Sequence, residues 1–145
     1  MQFLAPAYMR VWCISSTLKP EIQFLFTLFH FMKQIKPRFY FNNWLAKLLK
    51  VGGIILYPFI LIAVSEEEAI KDNIIQHEMV HTLQIHSLGW FGMYWKYLVD
   101  YSRFRFAGLN HSEAYFALPL EAEAYKMAKE KSDFLLCLYF AIKES

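Results

Sequence analysis

Cysteine is scarce in this chain, with two residues among 145. Cys13 and Cys137 lie far apart in apolar surroundings, and there is no CxxC pair. Neither a disulfide framework nor a cysteine zinc cluster is therefore expected. Two buried, reduced thiols are the simpler interpretation, and they predict a reducing compartment, which we take to be the cytoplasm.

An excess of charge of one sign is also lacking. Fifteen basic residues stand against 13 acidic ones, which gives a formal net charge of +2, and the basic residues are scattered. Proteins that bind nucleic acid usually carry a clustered basic patch, so nucleic acid is excluded as a partner. The N-terminus does not combine a basic start with an unbroken apolar run, so no signal peptide is predicted.

Long hydrophobic runs are missing as well. The most apolar segments cover residues 22–32, 51–64 and 134–142. Each is shorter than the roughly 20 residues that a helix needs to cross the hydrocarbon core of a membrane. We expect buried core elements here, and no segment that spans a membrane alone.

What the chain does contain is an apolar, aromatic composition, 57% hydrophobic and 19% aromatic. Its length predicts one domain over residues 1–145. The apolar excess favours a tightly buried core, a membrane-facing surface, or both.

The patterning before residue 65 predicts a helix, then a strand or short helix from residue 39 to the glycine pair, and then a further strand. A helix is expected over residues 21–36, ended by the following proline. Residues 54–64 are rich in β-branched and aromatic side chains, and Pro58 within them indicates a strand that is bulged or lies at a sheet edge, because proline donates no ladder hydrogen bond. The glycine pair at 52–53 predicts a turn.

The rest of the chain predicts helices. Ser65 and Glu68 have the spacing of a capping box, so a helix should run from Ser65 to about Ser87 and end at Gly89. Both its faces are apolar, which predicts a central position. Further helices are expected over residues 90–108 and, singly or as a pair, after Pro119. The fold class is thus mainly α, with α+β character from a short hairpin or edge strand.

The segment "HEMVH", residues 77–81, contains the candidate metal ligands and the candidate catalytic base. His77 and His81 are four residues apart, so on a helix both imidazoles can point at one metal ion. Glu78 reaches the flank of that point, where it can deprotonate a water molecule. Two core histidines without a metal would bury a neighbouring carboxylate at high cost.

A catalytic zinc site needs a third protein ligand. Glu121 and Glu123 stand in "LPLEAEAY", about forty residues past His81, at the start of a predicted helix. Residues two apart on a helix differ in direction by about 200°, so one of the two carboxylates can face the metal. A third histidine of the metzincin type is absent, and Cys13 as a deformylase-type ligand lacks the companion motif.

The segments "HEMVHTLQ", "GWFGMYWKYLVDY" and "HSEAYFALPLEAEAY" resemble a group of small bacterial zinc metallopeptidases with an HExxHxxQ helix and a PFEREAY-like segment. The resemblance covers roughly residues 51–128. More distantly, "LEAEAYKMA" is similar to a segment of the gluzincin membrane and heat-shock peptidases. This similarity implies a zincin-like helical core with Glu121 as the metal ligand, Glu123 as a supporting carboxylate and Ala124 as a small packing residue.

Three further residues are candidates near the site. Tyr125 replaces an aspartate of the gluzincin segment, and from its position it could support a ligand or donate to an oxyanion. His111 could donate in the same way from its loop. Gln84 could line the pocket, one turn beyond His81, or be a polar residue at its rim.

The function expected from these residues is peptide hydrolysis by water activated at one Zn²⁺ ion, with Glu78 as the general base. Cobalt, nickel or manganese could occupy the same ligands. The alternative is a non-catalytic zinc-binding or peptide-binding protein. Peripheral membrane contact is a further alternative, because Trp90, Phe91, Tyr94 and Trp95 with nearby cations suit a lipid interface.

Overall fold

The structure, a computed structural model, describes residues 37–144. Within this range three strands and seven helices follow one another: β1 (Arg38–Tyr40), α1 (Trp44–Leu48), β2 (Gly53–Leu56), β3 (Phe59–Ile62), α2 (Glu66–Lys71), α3 (Ile74–Leu88), α4 (Trp90–Phe106), α5 (His111–Phe116), α6 (Pro119–Glu130) and α7 (Ser132–Lys143). A small sheet precedes a helical body, so the mainly α, α+β prediction is confirmed. The compact unit that the structure describes begins at Pro37, so the single domain over residues 1–145 stays a prediction.

The three strands form one sheet in the order β1-β3-β2. β3 pairs in parallel with β1 and antiparallel with β2. Of the hairpin and the single edge strand expected before the helices, the structure has the hairpin over residues 53–62, because Pro58 lies in its turn, where no ladder donor is needed. The turn expected at the glycine pair is wrong in part, since Gly53 begins β2. β2 lies at one edge of the sheet, beside the helices.

The predicted capping box before α2 is confirmed. Ser65 Oγ accepts a hydrogen bond from the Glu68 N–H at 3.3 Å, and the Glu68 carboxylate accepts one from the Ser65 N–H at 3.2 Å. These reciprocal bonds satisfy donors that the first turn of a helix leaves free.

The continuous helix expected up to Ser87 is wrong, because α2 and α3 are separate. Asn73 between them has a left-handed φ of 57°, which a right-handed helix cannot continue through. Its Oδ1 atom accepts a hydrogen bond from Ser132 Oγ at 3.0 Å, which ties this junction to the start of α7. α3 ends before Gly89, as predicted, where φ is +72°.

Helix α3 is central to the described part of the chain, as its two apolar faces predict. Nine of its 15 residues are buried. It packs against α6, α7, α4 and β2. A polar side chain on α3 is therefore enclosed by neighbouring elements and shielded from solvent.

The later helices follow the predicted pattern with one difference. The break expected after α4 contains the short helix α5, which Asn110 and Glu113 cap with a second capping box. Pro119 occupies the first turn of α6, and α7 follows directly, so the predicted pair of helices is confirmed. Helix α4 buries Met93 and exposes four of its eight aromatic side chains, Trp90, Phe91, Trp95 and Phe106.

Several expectations concern other parts of the chain. The helix over residues 21–36, the apolar segment 22–32 and Cys13 lie outside the described residues. Cys137 is a free cysteine, but it is exposed on α7 and not buried as expected, because α7 turns its neighbours Leu138 and Tyr139 inward. Among residues 37–144, no helix has both the length and the apolar character needed to cross a membrane.

Candidate metal centre

Three side chains from α3 and α6 converge at one point. His77 Nε2 lies 3.0 Å from His81 Nε2. The Glu121 carboxylate lies 3.2 Å from His77 Nε2 and 3.3 Å from His81 Nε2. Ligands of a tetrahedral zinc ion, bonded at about 2.0–2.1 Å, stand about 3.3 Å from one another. The spacing of these atoms therefore suits a single small cation.

The local structure explains why these residues meet. On α3, residues four apart stack on one face, which places both imidazoles above the same spot. On α6, Glu121 lies in the first turn and shares its inward face with the fully buried Ala124. A side chain of one methyl group lets the backbones of α3 and α6 approach closely. The group His77, His81 and Glu121 could hold a metal ion.

Gln84 connects one imidazole to the neighbouring helix. Its Oε1 atom lies 2.8 Å from His81 Nδ1. Its Nε2 atom donates to the Leu120 carbonyl at 3.0 Å and to the Glu123 carboxylate at 2.9 Å. With both amide protons used in this way, Oε1 must accept, so His81 Nδ1 carries the proton and Nε2 presents its lone pair to the cluster. Gln84 is thus a buried support, not a polar residue at the rim.

The same bonds distinguish the two candidate carboxylates of α6. Glu121 is 2% exposed and lies in the cluster, whereas Glu123 binds the Gln84 amide on its far side. The structure therefore brings Glu121 to the histidines and leaves Glu123 in a supporting position.

Glu78 lies directly against the edge of the sheet. A Cβ atom added to Gly53 would stand 2.7 Å from Glu78 Cδ, closer than two carbon atoms can pack. Glycine at the start of β2 thus creates the space that the carboxylate occupies. The side chain is 4% exposed, and its Oε2 atom has no hydrogen-bond partner among the described residues.

The buried charges of the cluster influence one another. Burial raises the pKa of the Glu78 carboxyl, against the opposing effect of the two histidines. Burial alone would also raise the pKa of Glu121, but the adjoining imidazoles of His77 and His81 outweigh it and lower that pKa to about 2. Burial would lower the pKa of His81, yet the contact with Glu121 outweighs it and raises that pKa. A divalent cation would compensate two carboxylates enclosed together.

Two clefts flank the cluster and meet at Gly53, Glu78 and Tyr115. The β2 cleft, about 320 Å³, extends along β2 towards α4 and is lined mainly by apolar side chains such as Leu49, Val51, Leu56 and Met93. The Tyr125 cleft, about 500 Å³, lies on the other side of His77, and its lining includes the charged groups of Asp72 and Lys129 beside apolar residues such as Ile74 and Ala128. An extended ligand could therefore cross the cluster from one cleft to the other.

No protein-family model, no curated protein and no solved structure matches this chain. Functional inference therefore depends on the geometry of the cluster and its surroundings.

Two tyrosines at the site were missed by the sequence analysis. Tyr97 of α4 and Tyr115 of α5 line the β2 cleft beside Glu121. Burial, together with the negative charge of Glu121, raises the pKa of both phenols, so both are protonated hydrogen-bond donors at neutral pH. No periodic pattern marks them, since they come from different helices.

The remaining candidates take different places. The Tyr125 ring lies 4.4 Å from the His77 ring and lines the cleft named after it. His111 does not reach the cluster, because its Nδ1 atom pairs with the Tyr101 hydroxyl at 2.8 Å on an exposed surface. Another histidine of α3, His86, is not part of the cluster, and its ring centroid lies 6.2 Å from that of Tyr57.

Proposed function

We propose that this protein is a zinc metallopeptidase in which His77, His81 and Glu121 hold one Zn²⁺ ion and Glu78 is the general base. The observation that carries the proposal is the buried convergence of the two imidazoles and one carboxylate: the Nε2 atoms of His77 and His81 lie 3.0 Å apart, and the two Glu121 oxygens lie 3.2 and 3.3 Å from them. The spacing suits a tetrahedral ion, and three protein ligands leave one position for water or substrate. Two imidazoles and one glutamate are a ligand set that catalytic zinc sites use.

The chemistry divides between the ion and the protein. When bound, zinc lowers the pKa of water and polarises a carbonyl group. Glu78 accepts a proton from the attacking water and donates it to the leaving amine, for which the raised pKa of its carboxyl is suited. The protonated phenols of Tyr97 and Tyr115 are placed beside Glu121 to donate hydrogen bonds to a developing negative charge.

The neighbouring edge strand supports a peptide as the substrate. β2 begins at Gly53, against Glu78, and runs along the β2 cleft at the edge of the sheet. Edge strands bind extended peptides by adding them as a further strand. A peptide held in this way would pass directly over the cluster.

Metal content and hydrolysis test the proposal. Zinc should be present at one ion per chain in the wild type and in the matched control His111→Ala, and lost in His81→Ala. Glu78→Gln should keep its zinc and lose about 10²- to 10⁴-fold in hydrolysis of a randomised decapeptide library. The matched control Glu130→Gln, an exposed position on α6, should retain full activity.

Each failure has a distinct meaning. Equal zinc in the wild type and His81→Ala would refute the proposed metal site. Full hydrolysis by Glu78→Gln would refute the assignment of Glu78 as the general base. Stoichiometric zinc without hydrolysis of any library peptide would favour the alternative, a non-catalytic metal-binding or peptide-binding protein.

A second candidate activity, contact with an anionic lipid surface, is favoured by the exposed side chains of α4. Trp90, Phe91 and Trp95 are 63%, 65% and 57% exposed. Lys96 and Arg103 lie on the same helix and complement anionic headgroups. Flotation with vesicles of phosphatidylglycerol and phosphatidylcholine should recover the wild type and lose Trp95→Ser. Equal flotation of the two, or none, would contradict this candidate.

A further inference from the structure

The open edge of β2 exposes a limited set of backbone groups. Ala63 N–H donates to the Gly52 carbonyl at 3.0 Å, and Gly53 pairs with Ile62 as the next step of the ladder. In an antiparallel pair, residues alternate between facing the partner strand and facing away from it. Gly53 and Ile55 therefore direct their N–H and C=O groups towards the open side, as does the N–H of Tyr57.

One side chain already occupies the far end of this edge. The Tyr94 hydroxyl donates to the Ile55 carbonyl at 2.9 Å and accepts the Tyr57 N–H at 3.2 Å. Both bonds are of the kind that a peptide strand would otherwise make. Tyr94 comes from α4, so a helix closes this end of the sheet edge.

Three outward groups remain for a ligand: the N–H and C=O of Gly53, and the N–H of Ile55. Within residues 37–144 none of them has a hydrogen-bond partner. They lie along the β2 cleft, at the end of β2 next to Glu78. The available edge is therefore short and adjoins the metal cluster.

We propose that Tyr94 is a specificity-determining residue that ends backbone pairing at Ile55, so that a bound peptide adds to β2 over one pairing unit beside the cluster. This inference rests on the proposed peptidase function. A peptide pairs with Gly53 and the Ile55 N–H, places an apolar side chain in the β2 cleft and then leaves the sheet edge. The protein thus recognises only a short stretch of the substrate backbone on the side of the cleaved bond that pairs with β2.

A purely structural role for Tyr94 makes a different prediction. If its hydroxyl only fastens α4 to the hairpin, removing it alters stability and leaves the pattern of peptide recognition unchanged. If it ends the edge, Tyr94→Phe frees the Ile55 carbonyl and the Tyr57 N–H and lengthens the edge by one pairing unit.

Backbone methylation of a substrate separates the two roles. The decapeptide that the wild type cleaves fastest in a randomised library would be resynthesised with each backbone N–H methylated in turn. In the wild type, kcat/KM should fall only for positions next to the cleaved bond. In Tyr94→Phe one additional position, two residues further out, should become sensitive by about threefold to tenfold, the value of one hydrogen bond.

Two controls accompany this scan. Tyr101→Phe removes a hydroxyl from the same helix, where it pairs with His111, and should keep the wild-type pattern. Amide exchange at Tyr57 should be slow in the wild type and faster in Tyr94→Phe, which confirms that the bond exists whether or not a peptide binds.

The outcomes separate this inference from the peptidase proposal. Cleaved peptides with identical scans for the wild type and Tyr94→Phe would overturn the role of Tyr94 and leave the peptidase intact. If peptides bind without being cleaved, the scan is measured as affinity, and the same extra position supports the inference while the peptidase proposal fails. Neither binding nor cleavage would overturn both.

Discussion

Replacing Gly53 with alanine tests the closest contact of the site. The new Cβ atom would lie 2.7 Å from Glu78 Cδ and 3.0 Å from Cγ, whereas ordinary contacts begin at 3.4 Å. Gly53 has no left-handed backbone angle, so alanine itself fits the strand. Glu78 Oε1 would be closer still, so the carboxyl must move away by about an ångström, or β2 must shift outward.

We expect Gly53→Ala to lose about 100-fold in kcat/KM, because a displacement of about 1 Å in a reacting group costs roughly that factor. Overpacking should lower the free energy of unfolding by about 1–3 kcal/mol. Zinc content should stay at one ion per chain, since the nearest contacts of the new methyl group are all with Glu78, which is not one of the three ligands. The assays are hydrolysis of the library peptide, metal analysis and thermal unfolding.

Gly52→Ala provides the matched control. A Cβ atom there meets the Ile74 side chain at 3.6 to 3.9 Å, which is ordinary packing. This variant should keep nearly all activity. Wild-type activity in Gly53→Ala, or equal losses in the two variants, would refute the placement of Glu78 against the strand.

Two further predictions concern the buried polar groups. Gln84→Ala leaves His81 Nδ1 and the Leu120 carbonyl without their partner, so zinc affinity in competition with a chelator should fall about 10- to 100-fold; an unchanged affinity would contradict the supporting role. In zinc-free protein, Glu78 and Glu121 should affect unfolding by urea in opposite directions. Burial raises the pKa of Glu78, so its ionisation destabilises the fold as pH rises, and Glu78→Gln should be more stable than the wild type near pH 7. The pKa of Glu121 is lowered from 4.5 to about 2, so its contribution is present above pH 4.5 and lost as pH falls towards 2; Glu121→Gln should lack this loss, and an unchanged acid profile would refute the ion pairs.

The sequence predicts those parts of the site that depend on one helix. His77 and His81 converge because of the helical repeat alone, and Glu78 is offset from them for the same reason. The capping residues Ser65 and Glu68 likewise form a local pattern, which predicts the start of a helix without reference to the rest of the chain.

The parts that depend on packing between elements do not follow from helical geometry, and Glu121 was expected only from the resemblance. Helical geometry shows that Glu121 and Glu123 face different ways, but which one faces α3 depends on how α6 docks. The left-handed Asn73 interrupts a pattern that is otherwise continuous, and an asparagine is tolerated in a helix often enough to give no clear signal. Tyr97 and Tyr115 join the site from two helices, so no spacing in the chain relates them.

The amide of Gln84 has a consequence for how an ion would enter. It joins His81 to the backbone of α6 through groups of the protein alone, so the two helices that supply the ligands are braced before any cation arrives. A zinc finger, by contrast, acquires its shape only with its ion. A strong chelator should accordingly remove the zinc ion reversibly, and the protein should keep its helical circular dichroism throughout.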